Sequence, residues 1–180
     1  MKKIFLILIL SMSCSINKKN IMPINSLSFH TEYNQFYIKD KKCTANTNSS
    51  KFWTDKAFSE RLALEYGIIG IRTQSYGNIK GEIIILDRST NILENGLFNH
   101  IVEGGIDINS GELQILNCPD NQIQLELKVI PGKYRVRIYS SNLSSVKETD
   151  LAHDTDNDYY RIEIWPSEEM ETRVLKQYLE

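Results

Sequence analysis

Apolar and polar residues alternate along much of this chain, with the period of strands rather than helices. The clearest case is residues 122–138. Ile123, Leu125, Leu127 and Val129 alternate with Gln122, Gln124, Glu126 and Lys128, as expected of a half-buried strand. Beyond Pro131-Gly132, Tyr134, Val136 and Ile138 alternate with Lys133, Arg135 and Arg137. A two-residue turn at Pro131-Gly132 predicts a hairpin pairing Val129 with Tyr134, Leu127 with Val136 and Leu125 with Ile138 on one core face. The other face would set Glu126 against Arg137 and Lys128 against Arg135, a mixture that suits an exposed surface.

Other stretches follow the same rule. Residues 27–40 read as one strand, followed by a polar loop over 40–51. Residues 68–75 and 79–86 read as a second hairpin about Tyr76-Gly77-Asn78. Residues 97–102 and 113–116 are short strands, separated by Gly104-Gly105 and Ser110-Gly111. A long polar loop over 140–158 leads into 159–165, where Tyr160, Ile162 and Ile164 form one face and Pro166 closes the strand. Residues 168–180 fit a helix or a last strand equally.

Helical spacing governs one stretch, about residues 54–66. Thr54 can cap it with its hydroxyl, and Asp55 suits the positive end of the helix dipole. Phe58, Leu62 and Tyr66 fall at i, i+4 and i+8 on one face, and Gly67 can take the left-handed conformation that ends a helix. At least six strands against one short helix predict a mainly β protein, an antiparallel β-sandwich with the helix capping it. A closed barrel is the alternative.

Short motifs resemble a known family. They are Tyr33-x-Gln35-Phe36, the Trp53-Thr54-Asp55 helix start with alanines after it, the Gly-Ile strand that follows, and a second strand from near Asn78. Gly132-Lys133-Tyr134 and His153-x-x-x-x-Asp158-x-Tyr160 join them near the C-terminus. In these the chain resembles competence protein J, the inhibitor of the DNA-entry nuclease, over most of its length after about Ser26. Residues 89–121 carry no match. The resemblance implies a protein that is not an enzyme, needs no cofactor, and binds a nuclease so as to occlude its DNA groove. Family members lack the export segment described next, which suits an immunity protein against a secreted or incoming nuclease as well as a competence inhibitor. The reading from another class is an envelope lipoprotein, a binding or structural module that keeps only the fold.

The first 14 residues, MKKIFLILILSMSC, set two lysines before an apolar run too short to span a bilayer. This is the order of an export signal. Cys14 stands where a bacterial lipoprotein carries its acylated cysteine, and lipidation there would anchor the chain to a membrane. The plain alternative is a secretory signal with an incidental cysteine. Residues 15–26 then read as a tether, and residues 27–180 as a single domain in the cell envelope. Length and an ordinary hydrophobic fraction of 41% agree with one buried core. Loss of Lys2 and Lys3 with the signal takes the formal charge from −2 to −4, which argues against direct nucleic-acid binding.

The most suggestive chemistry is the acidic loop with Asp150, Asp154, Asp156 and Asp158. Its aspartates at 154, 156 and 158 begin like a calcium loop, but Tyr159 stands where the turn needs glycine and Trp165 where a bidentate glutamate is needed. A simpler calcium site, a solvated connector and a partner-binding loop that imitates phosphates remain. The last follows from the resemblance. A nuclease offers DNA a cationic surface, and carboxylates aimed at it raise on-rate and selectivity. His30, His100 and His153 show no metal or triad spacing. Cys43 and Cys118 fit a disulfide or two free thiols. The aromatic residues are core by default, with a few tyrosines on one rim as possible interface anchors.

Overall fold

The computed structural model describes residues 23–48, 50–93 and 96–179. These form a six-stranded sheet packed on a five-stranded one. In chain order the elements are β1 (Ile24–Thr31), β2 (Gln35–Asp40), α1 (Asp55–Ser59), β3 (Leu62–Glu65), β4 (Ile68–Arg72) and β5 (Gly77–Ile85). There follow β6 (Phe98–Ile108), β7 (Glu112–Asn117), β8 (Ile123–Lys128), β9 (Gly132–Ser141), β10 (Tyr159–Pro166) and β11 (Arg173–Lys176). The larger sheet runs β1-β5-β10-β9-β6-β11 and the smaller β3-β4-β2-β7-β8. Neighbours are antiparallel except β5 and β10, which run parallel. The fold is a mainly β sandwich with one short helix. Neither sheet closes on itself, so the barrel alternative falls. The stretch left open at the C-terminus contains strand β11, and β1 begins at Ile24, inside the expected tether.

Both predicted hairpins are instead crossovers between sheets. Strand β8 pairs with β7, setting Lys128 opposite Glu112 and Leu127 opposite Leu113. Strand β9 lies in the other sheet between β6 and β10. The inward faces follow the expected alternation except at Ile123, which is 56% exposed. Tyr134, Val136 and Ile138 belong to the central core, and the partly buried Leu125, Leu127 and Val129 pack against it. They meet it from opposite layers instead of as lateral neighbours. Strands β4 and β5 separate in the same way. A sandwich buries the same alternation by either route.

The single strand expected over 27–40 breaks at Tyr33 and Asn34. Both take left-handed φ angles, 57° and 54°, rare outside glycine. The chain thereby leaves the larger sheet after β1 and enters the smaller as β2. The helix is also shorter than the 54–66 expected. Thr54 does cap it, its hydroxyl accepting from the Ala57 N–H at 3.2 Å. Arg61 then takes φ 58°, and Leu62 starts β3, pairing with Ile71. Phe58 and Tyr66, expected on the buried face, are 51% and 66% exposed. Strand pairing of 62–65 outweighs their helical spacing.

The outer face of the larger sheet is covered, not exposed. Arg135 and Arg137 are 2% and 5% exposed, against the expectation for that side of β9. Arg137 stands across from Glu103 of β6 and Glu163 of β10. Its Nε donates to Glu103 at 2.6 Å and its guanidinium lies 3.6 Å from Glu163. Arg135 donates twice to Glu103, at 3.2 and 3.1 Å, and also to the Glu169 and Glu171 carbonyls. Those carbonyls belong to the segment between β10 and β11, which crosses the sheet at Gly105. A Cβ at Gly105 would sit 2.4 Å from Met170 Cα, so only glycine admits that backbone.

His100 is fully buried on β6. Its Nε2–H donates to the Glu60 carbonyl at 3.0 Å, and its Nδ1 accepts from the Tyr178 N–H at 3.3 Å. The second contact requires the neutral ring, since a protonated Nδ1 cannot accept. Burial, with Arg61 nearby, lowers its pKa to about 4 despite the opposing bond to Glu60. Cys43 and Cys118 are both free.

Candidate functional site

One end of the sandwich gathers most of the segments singled out in the sequence. Phe52 packs against Tyr37 at 6.3 Å and against Trp53 at 5.7 Å between ring centroids. Both Phe52 and Trp53 lie on β4 at Gly70, where a Cβ would come within 2.7 Å of one ring and 2.8 Å of the other. Trp53 fixes the start of α1, and the short helix turns Phe58 outward. There the Arg72 guanidinium covers the Phe58 ring at 3.8 Å.

The turn between β1 and β2 meets this surface. Tyr33, 62% exposed, stands edge-on to Tyr76 with centroids 6.3 Å apart. The Tyr76 hydroxyl donates to Glu32 at 3.2 Å. Asn34 ties three segments together. Its Nδ2 donates to the Gln74 carbonyl at 3.1 Å and to the Thr149 carbonyl at 2.7 Å, and its own carbonyl accepts from the Thr73 N–H at 2.8 Å. The left-handed turn, the β4–β5 crossover and the acidic loop are thus one unit. A groove of about 160 Å³ is lined by Tyr33, Asn34, Gln35, Trp53, Phe58 and Arg72.

The acidic loop divides in two. Asp150 and Asp154 are exposed, as are Glu148 and His153, and the last two approach to 3.1 Å. Asp156 and Asp158 are 8% and 1% exposed, so they do not face a partner as the loop reading expected. Asp156 Oδ2 accepts from the His153 N–H at 3.0 Å and closes a turn. Asp158 accepts from the Ser75 N–H and hydroxyl, both at 2.9 Å, and from the Tyr160 hydroxyl at 2.6 Å. Burial first, then the negative Asp158, raises the Tyr160 phenol well above its usual range. Asp158 thus holds the β4–β5 crossover onto the start of β10, while Asp156 shapes the loop itself. Ala152 packs on Gly77 and keeps the outer half of the loop beside Tyr76.

Cys14 lies outside the described residues. Among them no group of three or more His, Cys, Asp or Glu residues is placed to hold a metal. A cavity of about 450 Å³ on the outer face of the larger sheet includes Arg135, Arg137 and Trp165 in its lining. Its floor arginines are already engaged by Glu103. Phe58 and Arg72 escaped the sequence reading because helical spacing assigned Phe58 to the core. The sequence offers a few tyrosines on one rim without saying which; the structure brings Tyr33 and Tyr76 together there.

Fold and site together define a two-sheet β-sandwich with an aromatic and acidic rim at one end. The fold is similar to that of ComJ, inhibitor of the DNA degrading activity of NucA, from Bacillus subtilis. The TM-score is 0.59 at 18% identity, over 82% of this chain and 99% of ComJ. It is also similar to the product of crocagin biosynthetic gene J, with TM-score 0.51 and 17% identity over 80% and 97% of the two chains. No family model and no curated protein matches the sequence. At these identities the likeness establishes a ComJ-like fold.

Proposed function

We propose that this protein binds a nuclease and inhibits it by occluding the groove that takes DNA. The observation that carries the reading is the ComJ-like fold, which in ComJ belongs to an inhibitor of a DNA-degrading activity. The outward half of the acidic loop fits it, because Asp150 and Asp154 stand free to meet a cationic surface. Asp156 and Asp158 serve by holding that loop in place. In this reading the chain performs no catalysis of its own and acts by steric and electrostatic blockade.

The chain acts from the envelope, exported by residues 1–14 and held to a membrane by lipid on Cys14. Support is the basic, apolar and cysteine order of that segment. The location favours a target that is secreted or enters from outside. Inhibition is tested by adding the full chain, in detergent, to a DNA-cleavage assay with NucA and with the nucleases of its own source. At least one should lose activity in proportion to added chain. Inhibition of none would sink the reading. Anchoring is tested separately by Cys14→Ala, which should release the protein from membranes; full retention would remove the anchor.

A further inference from the structure

The rim at Tyr33 combines exposure with rigidity in a way the fold alone does not require. Tyr33, Phe58 and Tyr76 present rings at or near solvent, yet each is held. Phe58 is pinned by Arg72 and Tyr33 is set against Tyr76. The backbone beneath Tyr33 keeps two consecutive left-handed non-glycine residues, locked by three hydrogen bonds through Asn34. Such backbone persists only where its surroundings over-determine it, and it concentrates at functional sites. The Trp53 indole N–H, beside the same groove, donates to no acceptor among the described residues. Rigid aromatic residues around a groove are the usual anchors of a protein interface, because little entropy is lost on binding.

Charge selects the occupant. Asn34 and Gly77 bring the loop with Glu148, Asp150 and Asp154 to the edge of the aromatic surface. The groove beside it is lined by the rings of Tyr33, Trp53 and Phe58 together with Asn34, Gln35 and one guanidinium already stacked on Phe58. We infer that the Tyr33–Trp53–Phe58–Tyr76 surface docks a basic protein surface that seats one apolar or aromatic side chain in the groove while its cations face Asp150 and Asp154. This deepens the nuclease reading and rests on it. The two halves separate by kinetics. Aromatic anchors govern dissociation, and the carboxylates govern association and its salt dependence.

The test uses the full chain in detergent and any nuclease of the panel that it inhibits, with NucA tried first, in surface-plasmon binding at low and high salt. Tyr33→Ala and Phe58→Ala should each dissociate about 10- to 100-fold faster with unchanged melting, and Tyr33→Phe should keep most of the affinity. Asp150→Asn with Asp154→Asn should slow association several-fold and flatten the salt dependence. Ile123→Ala and Ile130→Ala, at exposed apolar residues elsewhere, should bind as the parent does. If the parent inhibits a nuclease and the aromatic variants dissociate as it does, the surface is overturned and the nuclease reading stands. If the parent binds no nuclease, that reading falls and this inference with it. Self-association of the free chain that Tyr33→Ala abolishes would assign the rim to a second copy and also overturn the proposal.

Discussion

The outer face of the larger sheet and the loop before β10 both crowd charged residues, and they treat them in opposite ways. On the sheet, Glu103, Glu163, Arg135 and Arg137 sit beneath the segment after β10 and beside Thr90, paired across neighbouring strands. In the loop, Asp156 and Asp158 turn inward to backbone and hydroxyl donors, while Asp150 and Asp154 stay in water. A buried charge needs partners of opposite sign or several hydrogen bonds, since desolvation otherwise neutralises or expels it. The sheet supplies opposite charges by register. In the loop, Ser75, Tyr160 and a turn through His153 supply donors for only two of the four aspartates. Residue type is therefore no guide to role here; the count of available partners is.

Breaking the sheet network should have the largest effect. Glu103→Ala leaves two buried guanidinium groups without their shared carboxylate and should cost about 3–5 kcal/mol in urea unfolding. A cost near zero would mean that water reaches the network. His100 tests the neutral side of the same rule. Its pKa is about 4 when folded and 6.5 as the reference value, so the unfolded chain takes the proton first. Its contribution is complete above about pH 6.5 and is lost as pH falls through about 4, roughly 3 kcal/mol in all. Urea midpoints at pH 7 and pH 5 should differ accordingly, and His100→Gln should remove that slope.

Asp158→Ala comes next. It strands buried donors of Ser75 and Tyr160 and should destabilise by about 2–3 kcal/mol. Asp154→Asn with Asp150→Asn should change stability by no more than about 0.5 kcal/mol. Equal losses from the two halves of the loop would contradict their division. The smallest effect separates lateral from cross-layer packing. A disulfide joining positions 127 and 136 as lateral strand neighbours should fail to form, because those residues lie in different sheets. Ready formation would restore the hairpin.

The sequence by itself determined which side of β9, β10 and most of β8 meets the core. Leu125, Leu127, Val136, Ile138, Tyr160, Ile162 and Ile164 all reach it as their alternation requires, because a period of two sends alternate side chains to opposite faces whatever the partner strand. It also carried the Thr54 cap and the sandwich class. Tertiary structure alone decided which strands are neighbours. A crossover at Pro131-Gly132 or Tyr76-Gly77 buries the same apolar face as a hairpin would, so local pattern does not distinguish them. Tertiary structure likewise decided that Arg135 and Arg137 are buried, since their partners Glu103 and Glu163 come from strands distant in the chain. It set Phe58 outside, through strand pairing of the residues that follow it. And it divided the acidic loop, because Ser75 and Tyr160 hold Asp158, and a turn through His153 holds Asp156, while the chain folds nothing over Asp150 and Asp154.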